Sequence, residues 1–198
     1  MTPCTWATKT KLDLQYHNEE WGVPVFDDNK HFEMITLESA QSGLSWTTIL
    51  AKREGYREVF LGFDIDAVAA LDDSVIEDML QNPAIVRHRQ KIAATLNNAR
   101  AMQKVQNEFG SFNKYIWSFV DFEPLDNKCQ SLAEVPSKTE LSDKISKDLK
   151  KRGFKFIGTT TVYAYMQAVG MVNDHVVTCP QYQKTCELQK QVINHKQT

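Results

Sequence analysis

The sequence predicts an all-α fold, and three observations carry that expectation. Apolar residues recur at helical spacing in several segments, helix-start and helix-stop residues bracket those segments, and alternating strand patterns are scarce. In chain order, Asp27-Asp28-Asn29 forms a cap region for a helix carrying Phe32, Met34, Ile35, Leu37 and Ser39. Ser74-x-x-Glu77 reads as a capping box ahead of Ile76, Met79 and Leu80. Segment 85–107 carries Ile85, Ile92, Leu96 and Ala99 and stops before Gly110. Ser137-x-x-Glu140 is a second box, leading into Leu141, Ile145 and Leu149 and ending at Gly153. Residues 153–165 would also suit a strand, because they are rich in β-branched and aromatic side chains, but the following residues favour a helix ending at Gly170. Residues 122–137 form the longest polar loop.

The chain has 198 residues, 42% hydrophobic and 24% charged, with 8 Gly and 6 Pro, which is close to an average globular composition and excludes collagen-like and disordered classes. One helical domain over 1–184 is expected, followed by a polar, frayed tail over 185–198. No apolar run approaches the roughly 20 residues of a membrane span, and the first residues lack the apolar stretch of a signal peptide. A cytoplasmic monomer without a membrane partner is the expectation.

With 23 Lys+Arg against 25 Asp+Glu the net charge is -2, so binding to a polyanion would need a local basic face. Arg87-His88-Arg89-x-Lys91 follows the apolar turn Pro83-Ala84-Ile85-Val86, where a helix-hairpin-helix would offer backbone N–H groups to a phosphate. A second cluster is Lys150-Lys151-Arg152-Gly153-x-Lys155. Either cluster would also suit a solvated helix face.

Two further constellations carry chemistry. His175-x-x-x-Cys179 has ligand-pair spacing, and with Cys4 and His17 it would make a closed Cys2His2 zinc site clamping both chain ends. Spacing alone leaves open that these are ordinary thiols and imidazoles, with Cys186 as a competitor. Around Glu38 in sequence lie Tyr16, Trp21 and Trp46, with Trp6 nearby. Aromatic faces beside one carboxylate suit a planar, electron-poor ligand, since stacking is worth about 1–3 kcal/mol per base. Core packing of the same tryptophans is the alternative.

Taken together these residues resemble the 3-methyladenine DNA glycosylase I family of the helix-hairpin-helix superfamily. The likeness runs from Cys4-x-Trp6 through Tyr16-His17-Asn18-x-Glu20-Trp21-Gly22-Val23-Pro24, Leu37-Glu38 and Gln41-Ser42-Gly43-Leu44-Ser45-Trp46. It continues through Arg87-His88-Arg89-x-Lys91-Ile92, Asn98-Ala99-Arg100, Trp117-Ser118-Phe119, Lys151-Arg152-Gly153-Phe154-Lys155-Phe156 and Val172-Asn173-Asp174-His175.

The resemblance implies a helix-hairpin-helix glycosylase-like bundle in which Cys4, His17, His175 and Cys179 hold a structural Zn2+. It implies that Glu38 is catalytic, that Tyr16 and Trp46, with Trp21 and Trp6, receive a flipped base, and that Gly43 and Leu44 wedge the duplex. Ala84, Arg87, Arg89 and Lys91 would meet DNA phosphates. The implied activity is hydrolysis of the N-glycosidic bond of 3-methyladenine in alkylated double-stranded DNA, with free 3-methyladenine as product and no strand cleavage. A non-catalytic zinc-containing DNA-binding module is the alternative, and a zinc-dependent hydrolase would need an open metal position.

Three positions depart from the family pattern. Asp13 stands where a pocket tyrosine is usual, Ser39 follows Glu38 in place of Gly, and Ala84 replaces a common hairpin Gly. An inward Asp13 would set a second carboxylate near Glu38 and raise one of the two pKa values.

Overall fold

The computed structural model describes residues 3–196, and it is mostly helical. The helices are α1 (Lys11–Glu19), α2 (Asp28–Gln41), α3 (Trp46–Val59), α4 (Ile65–Ala69), α5 (Val75–Met79), α6 (Arg89–Phe109), α7 (Phe112–Trp117), α8 (Glu140–Lys151), α9 (Thr159–Ala168) and α10 (Pro180–Gln189). Among the described residues no helix is long and apolar enough to cross a membrane.

Helix starts follow side-chain capping, in which an oxygen accepts an otherwise unpaired N–H of the first turn. Thr10, Asp27, Ser45 and Ser111 cap α1, α2, α3 and α7 in this way. Two expected boxes are corrected. Ser74 makes no side-chain cap on α5, because it already lies in helical φ/ψ and its N–H donates to Asp72 Oδ1. At α8 the box belongs to Thr139 and Ser142, not to Ser137 and Glu140. The stop at Gly153 holds: its φ is +94°, and the Gly153 and Phe154 N–H groups donate to the Lys150 and Leu149 carbonyls. The ambiguous stretch after Gly153 resolves into a loop followed by α9, which ends before Gly170 as expected.

One departure from a purely helical chain is a short parallel pair, β1 (Leu125–Asp126) and β2 (Val172–Asn173), with Leu125 opposite Val172. It pins the start of the long polar loop to the segment after α9. The expected tail from 185 begins inside α10, and Thr185, Gln189 and Val192 are buried there.

The main core is built around α2, which buries every residue from His31 to Ala40. Phe32 and Leu37 join Leu96 and Met102 of α6, Trp117 of α7 and Met166 of α9 in that core. Burying such side chains is worth roughly 1.5–3 kcal/mol each. A smaller second core collects Cys4, Tyr16, Trp21, Leu50, Cys129, Val176 and Cys179, so segments from both ends of the sequence meet on one side of α2.

Charged groups fix α2 against its neighbours. Arg53 of α3 holds both Glu20 oxygens at 2.7 Å and Glu33 at 2.8 Å, and Lys30 bridges the same two carboxylates. Burial would raise the Glu20 pKa, but the Arg53 and Lys30 contacts outweigh it and bring it down to about 2.

Candidate active site and metal cluster

A cavity of about 540 Å3 opens beside the second core, and the six residues expected to form a base pocket all line it: Trp6, Asp13, Tyr16, Trp21, Glu38 and Trp46. Glu38 comes from the inner face of α2 and Tyr16 from α1, while Trp46 starts α3. Gly22, with φ +82°, donates its N–H to the Gln167 carbonyl, and Val25 donates to that of Val169. Those two bonds lay the strand of chain carrying Trp21 along α9.

The aromatic walls meet at angles rather than in one stack. The Tyr16 and Trp46 rings are 5.0 Å apart at 52°, and Trp6 meets Trp21 edge-on at 5.1 Å. Tyr16 Oη and Trp46 Nε1 are buried without a protein partner, which is costly in a folded core unless a ligand uses them. Glu38 is 6% exposed, and burial pushes its carboxyl up to about 8. Burial also raises Tyr16, with the Glu38 charge adding to it. Burial therefore favours the protonated form of Glu38 at neutral pH.

Asp13 faces inward and is 1% exposed. The Thr47 hydroxyl donates to its two oxygens at 3.1 and 2.9 Å, and the Thr10 hydroxyl donates to Oδ2 at 2.8 Å. Asp13 thus has a structural partner set of its own. The expected coupling with Glu38 is corrected, because burial is the cause of the Glu38 rise.

Sequence reading missed part of the cavity wall. Leu132, Val135 and Pro136 of the long loop close one side, and Gln167 of α9 lines another. The apolar residues within that polar loop were the one available signal.

The rim residue Leu44 is 41% exposed, and Gly43 beside it has φ +80° with open space around it. Ser39, the departure next to Glu38, is buried with its hydroxyl unpartnered. None of residues 84–91 lines the cavity; they run from the turn after α5 into the first residues of α6. Ala84 packs on Gly55 of α3, where a Cβ would come within 2.6 Å of the Ala84 Cβ. Its methyl is accommodated by a glycine on the facing helix. Arg87 and Arg89 are exposed, with Arg89 paired to Glu77 in an exposed contact of the kind worth only about 0–1 kcal/mol. Lys91 differs from expectation: its ammonium donates to the Ala40 and Ser42 carbonyls instead of standing free for a phosphate.

Behind the cavity, Cys4, His17, His175 and Cys179 converge. All four are buried, and their ligand atoms lie within 4.8 Å of one another. Cys179 Sγ is 3.5 Å from His17 Nε2 and 3.7 Å from His175 Nδ1, and Cys4 Sγ is 3.9 Å from His175 Nδ1. A tetrahedral ion with bonds of about 2.3 Å to sulfur and 2.0–2.1 Å to nitrogen needs S to N edges of roughly 3.6 Å. The outer ring nitrogens are also spoken for, His17 Nδ1 by Asn18 Oδ1 at 2.8 Å and His175 Nε2 by the Trp21 carbonyl at 3.1 Å. This turns both inner lone pairs toward the thiols, as metal ligation requires. The donor set fits a metal ion.

A mostly helical fold, an aromatic cavity lined by the buried carboxyls of Glu38 and Asp13, and a buried Cys2His2 cluster that could hold a metal define a helical protein built to receive a flat, polar ligand. The methyladenine glycosylase family model matches residues 6–182, and the chain belongs to that family. It is similar to DNA-3-methyladenine glycosylase 1 of Escherichia coli (strain K12), 49% identical over 90% of this chain and 96% of the other. It is 46% identical to DNA-3-methyladenine glycosylase of Haemophilus influenzae over 90% of this chain and 97% of the other. Among solved structures, 3-methyladenine DNA glycosylase I from Staphylococcus aureus, described for its recognition of 3-methyladenine, superposes with a TM-score of 0.89 at 37% identity, covering 92% of this chain and 97% of that one.

Proposed function

We propose that the protein hydrolyses the N-glycosidic bond of 3-methyladenine in alkylated double-stranded DNA and releases the free base without cutting the strand. The observation that carries the reading is the buried Glu38 carboxyl, set among aromatic rings with the Tyr16 hydroxyl and Trp46 N–H unpartnered beside it. Each of these groups is costly when the cavity is empty and useful when a flat, polar cation fills it.

N3-methylation makes the purine cationic and a good leaving group. The nucleotide is flipped out at a cost of a few kcal/mol, with Leu44 and Gly43 filling the gap in the duplex. The positive charge of the base favours ionisation of Glu38, whose proton passes to solvent, and the resulting carboxylate stabilises the charged base. Tyr16 and Trp46 offer π faces to the same cation. As the C1′–N9 bond breaks, its electron pair neutralises the purinium, and a water oxygen adds to C1′ and loses its proton to solvent. Stabilisation of an oxocarbenium-like sugar is the remaining task.

Arg87 and Arg89, together with the backbone around Ala84, meet the phosphates as the hairpin of a helix-hairpin-helix, and Lys91 supports the turn at the rim. Cys4, His17, His175 and Cys179 would hold one Zn2+. Four protein ligands leave no open position, so its role is structural. The helical unit acts as one domain and as a monomer.

The deciding experiment is release of free base from duplex DNA carrying 3-methyladenine, under single turnover. Tight duplex binding with no base released would favour the non-catalytic DNA-binding module.

A further inference from the structure

Gln167 reaches the cavity from α9, and its amide is oriented from behind. Its Nε2 donates to Asp174 Oδ2 at 2.7 Å. Asp174 is 1% exposed and takes three more bonds, from the Tyr163 hydroxyl at 2.7 Å, from Asn127 Nδ2 at 2.6 Å and, weakly, from the Cys129 thiol at 4.0 Å. A carboxylate accepts only, so a flipped amide would set oxygen against oxygen, and the bond fixes which amide atom faces Asp174. The side-chain oxygen, Gln167 Oε1, is then the arm left for the cavity. Donation to a buried carboxylate also polarises the amide and strengthens that oxygen as an acceptor.

With the Asp13 oxygens already taken by the Thr10 and Thr47 hydroxyls, Glu38 and Gln167 are side chains whose oxygens the cavity can offer to a ligand between its aromatic walls. A 6-aminopurine offers an N–H donor at its 6 position, and a cationic one is the stronger donor. A 6-oxopurine offers an acceptor at the same place, which would face the Gln167 oxygen. We propose that Gln167 is a specificity-determining residue that accepts a hydrogen bond from the exocyclic 6-amino group of the flipped base, and that Asp174 is the positioning residue that holds it there. The proposal rests on the glycosylase reading above and adds the basis of discrimination between adenine-type and guanine-type lesions.

The test compares single-turnover release of 3-methyladenine and 3-methylguanine from otherwise identical duplexes by wild type, Gln167→Met and Gln167→Leu. A pocket that hydrogen-bonds its substrate rejects the analogue lacking that group more strongly than an apolar pocket can. The ratio of the two rates, 3-methyladenine over 3-methylguanine, is expected to fall at least tenfold in both variants. Asp174→Asn, which no longer fixes the amide, is expected to lower the ratio in the same direction. Thermal melts identify any variant that fails to fold, and the ratio, unlike the rate, is not moved by a loss of folded protein. Equal losses for both lesions, or an unchanged ratio, would overturn the proposal. If wild type released neither base, the glycosylase reading itself would fail, which is a different outcome from a flat ratio.

Discussion

The Lys91 ammonium sits 2.6 Å from the Ser42 carbonyl oxygen and 2.8 Å from that of Ala40. From α6 it satisfies the end of α2 and braces the turn that carries Gly43 and Leu44. Burial lowers its pKa, consistent with a cation turned inward.

Lys91→Ala is therefore expected to reduce excision more than duplex affinity and to leave the salt dependence of binding close to wild type. Arg87→Ala, which removes an exposed cation, is expected to lower the slope of log affinity against log salt by about one. Binding isotherms over a salt series separate the two, and a one-unit drop for Lys91→Ala would put that ammonium back on the DNA.

Glu38→Gln is expected to abolish most excision while raising stability. The carboxyl titrates near 8 when folded and near 4.3 in an unfolded chain. A folded pKa above the unfolded one gives stability that is complete below the unfolded value and is lost as pH rises to the folded value. The melting temperature of Glu38→Gln should therefore exceed wild type by a margin that grows from about pH 5 and levels off above about pH 8. At its largest the gain is on the order of a few kcal/mol. Melts of both proteins across that window check it, and a constant difference would show that Glu38 is not the titrating group.

One zinc per chain is expected in the purified protein. Cys4→Ser and His175→Ala should each lose metal and melting temperature together, since binding free energy at a closed site is folding free energy. Elemental analysis beside thermal melts decides this. Metal-free protein with wild-type stability would remove the ion from the fold.

Asp13→Tyr is expected to bind free 3-methyladenine more tightly, by about 1 kcal/mol or more of added stacking. The same change leaves the Thr10 cap on the residue 13 N–H in place but removes the acceptor of the Thr10 and Thr47 hydroxyls, and should cost about 1 kcal/mol of stability. Calorimetric titration of the base reads the first effect and a melt the second. Equal affinities would mean that position 13 does not face the ligand.

Much of this site was legible because its chemistry is carried by rare residue types. Cys4, His17, His175 and Cys179 can be picked out among four cysteines and five histidines, and Glu38 is marked by Tyr16, Trp21 and Trp46 around it in sequence together with the Leu37-Glu38 match of the family resemblance. What escaped notice depends on distance along the chain. Whether Lys91 points at solvent or at Ser42 is settled by how α6 packs on α2, and helical spacing contains nothing of that. The Arg53 bridge between Glu20 and Glu33, and the Asp174 contacts with Asn127 and Gln167, join residues whose types are common everywhere. The cap of α8 lies two residues after the expected Ser137, because Ser137 and Thr139 offer the same kind of oxygen and it is Thr139, with extended backbone, that accepts the Ser142 N–H.

Trp21 works in two directions at once. Its ring forms part of the cavity wall, while its carbonyl oxygen holds His175 Nε2 at 3.1 Å, and its ring also lies 4.6 Å from that imidazole. Trp6 is placed alike, edge-on to His17 at 5.5 Å and to Trp21 at 5.1 Å. A metal held by the cluster behind the wall would therefore act as a tuning peg for the pocket: loosening Cys4 or Cys179 is expected to slacken the two indoles that touch His17 and His175. Chelation should blunt recognition of the base while circular dichroism still reports a helical protein, so the chain's two ends, far from the glycosidic bond in sequence, set the gap into which the damaged purine must slide.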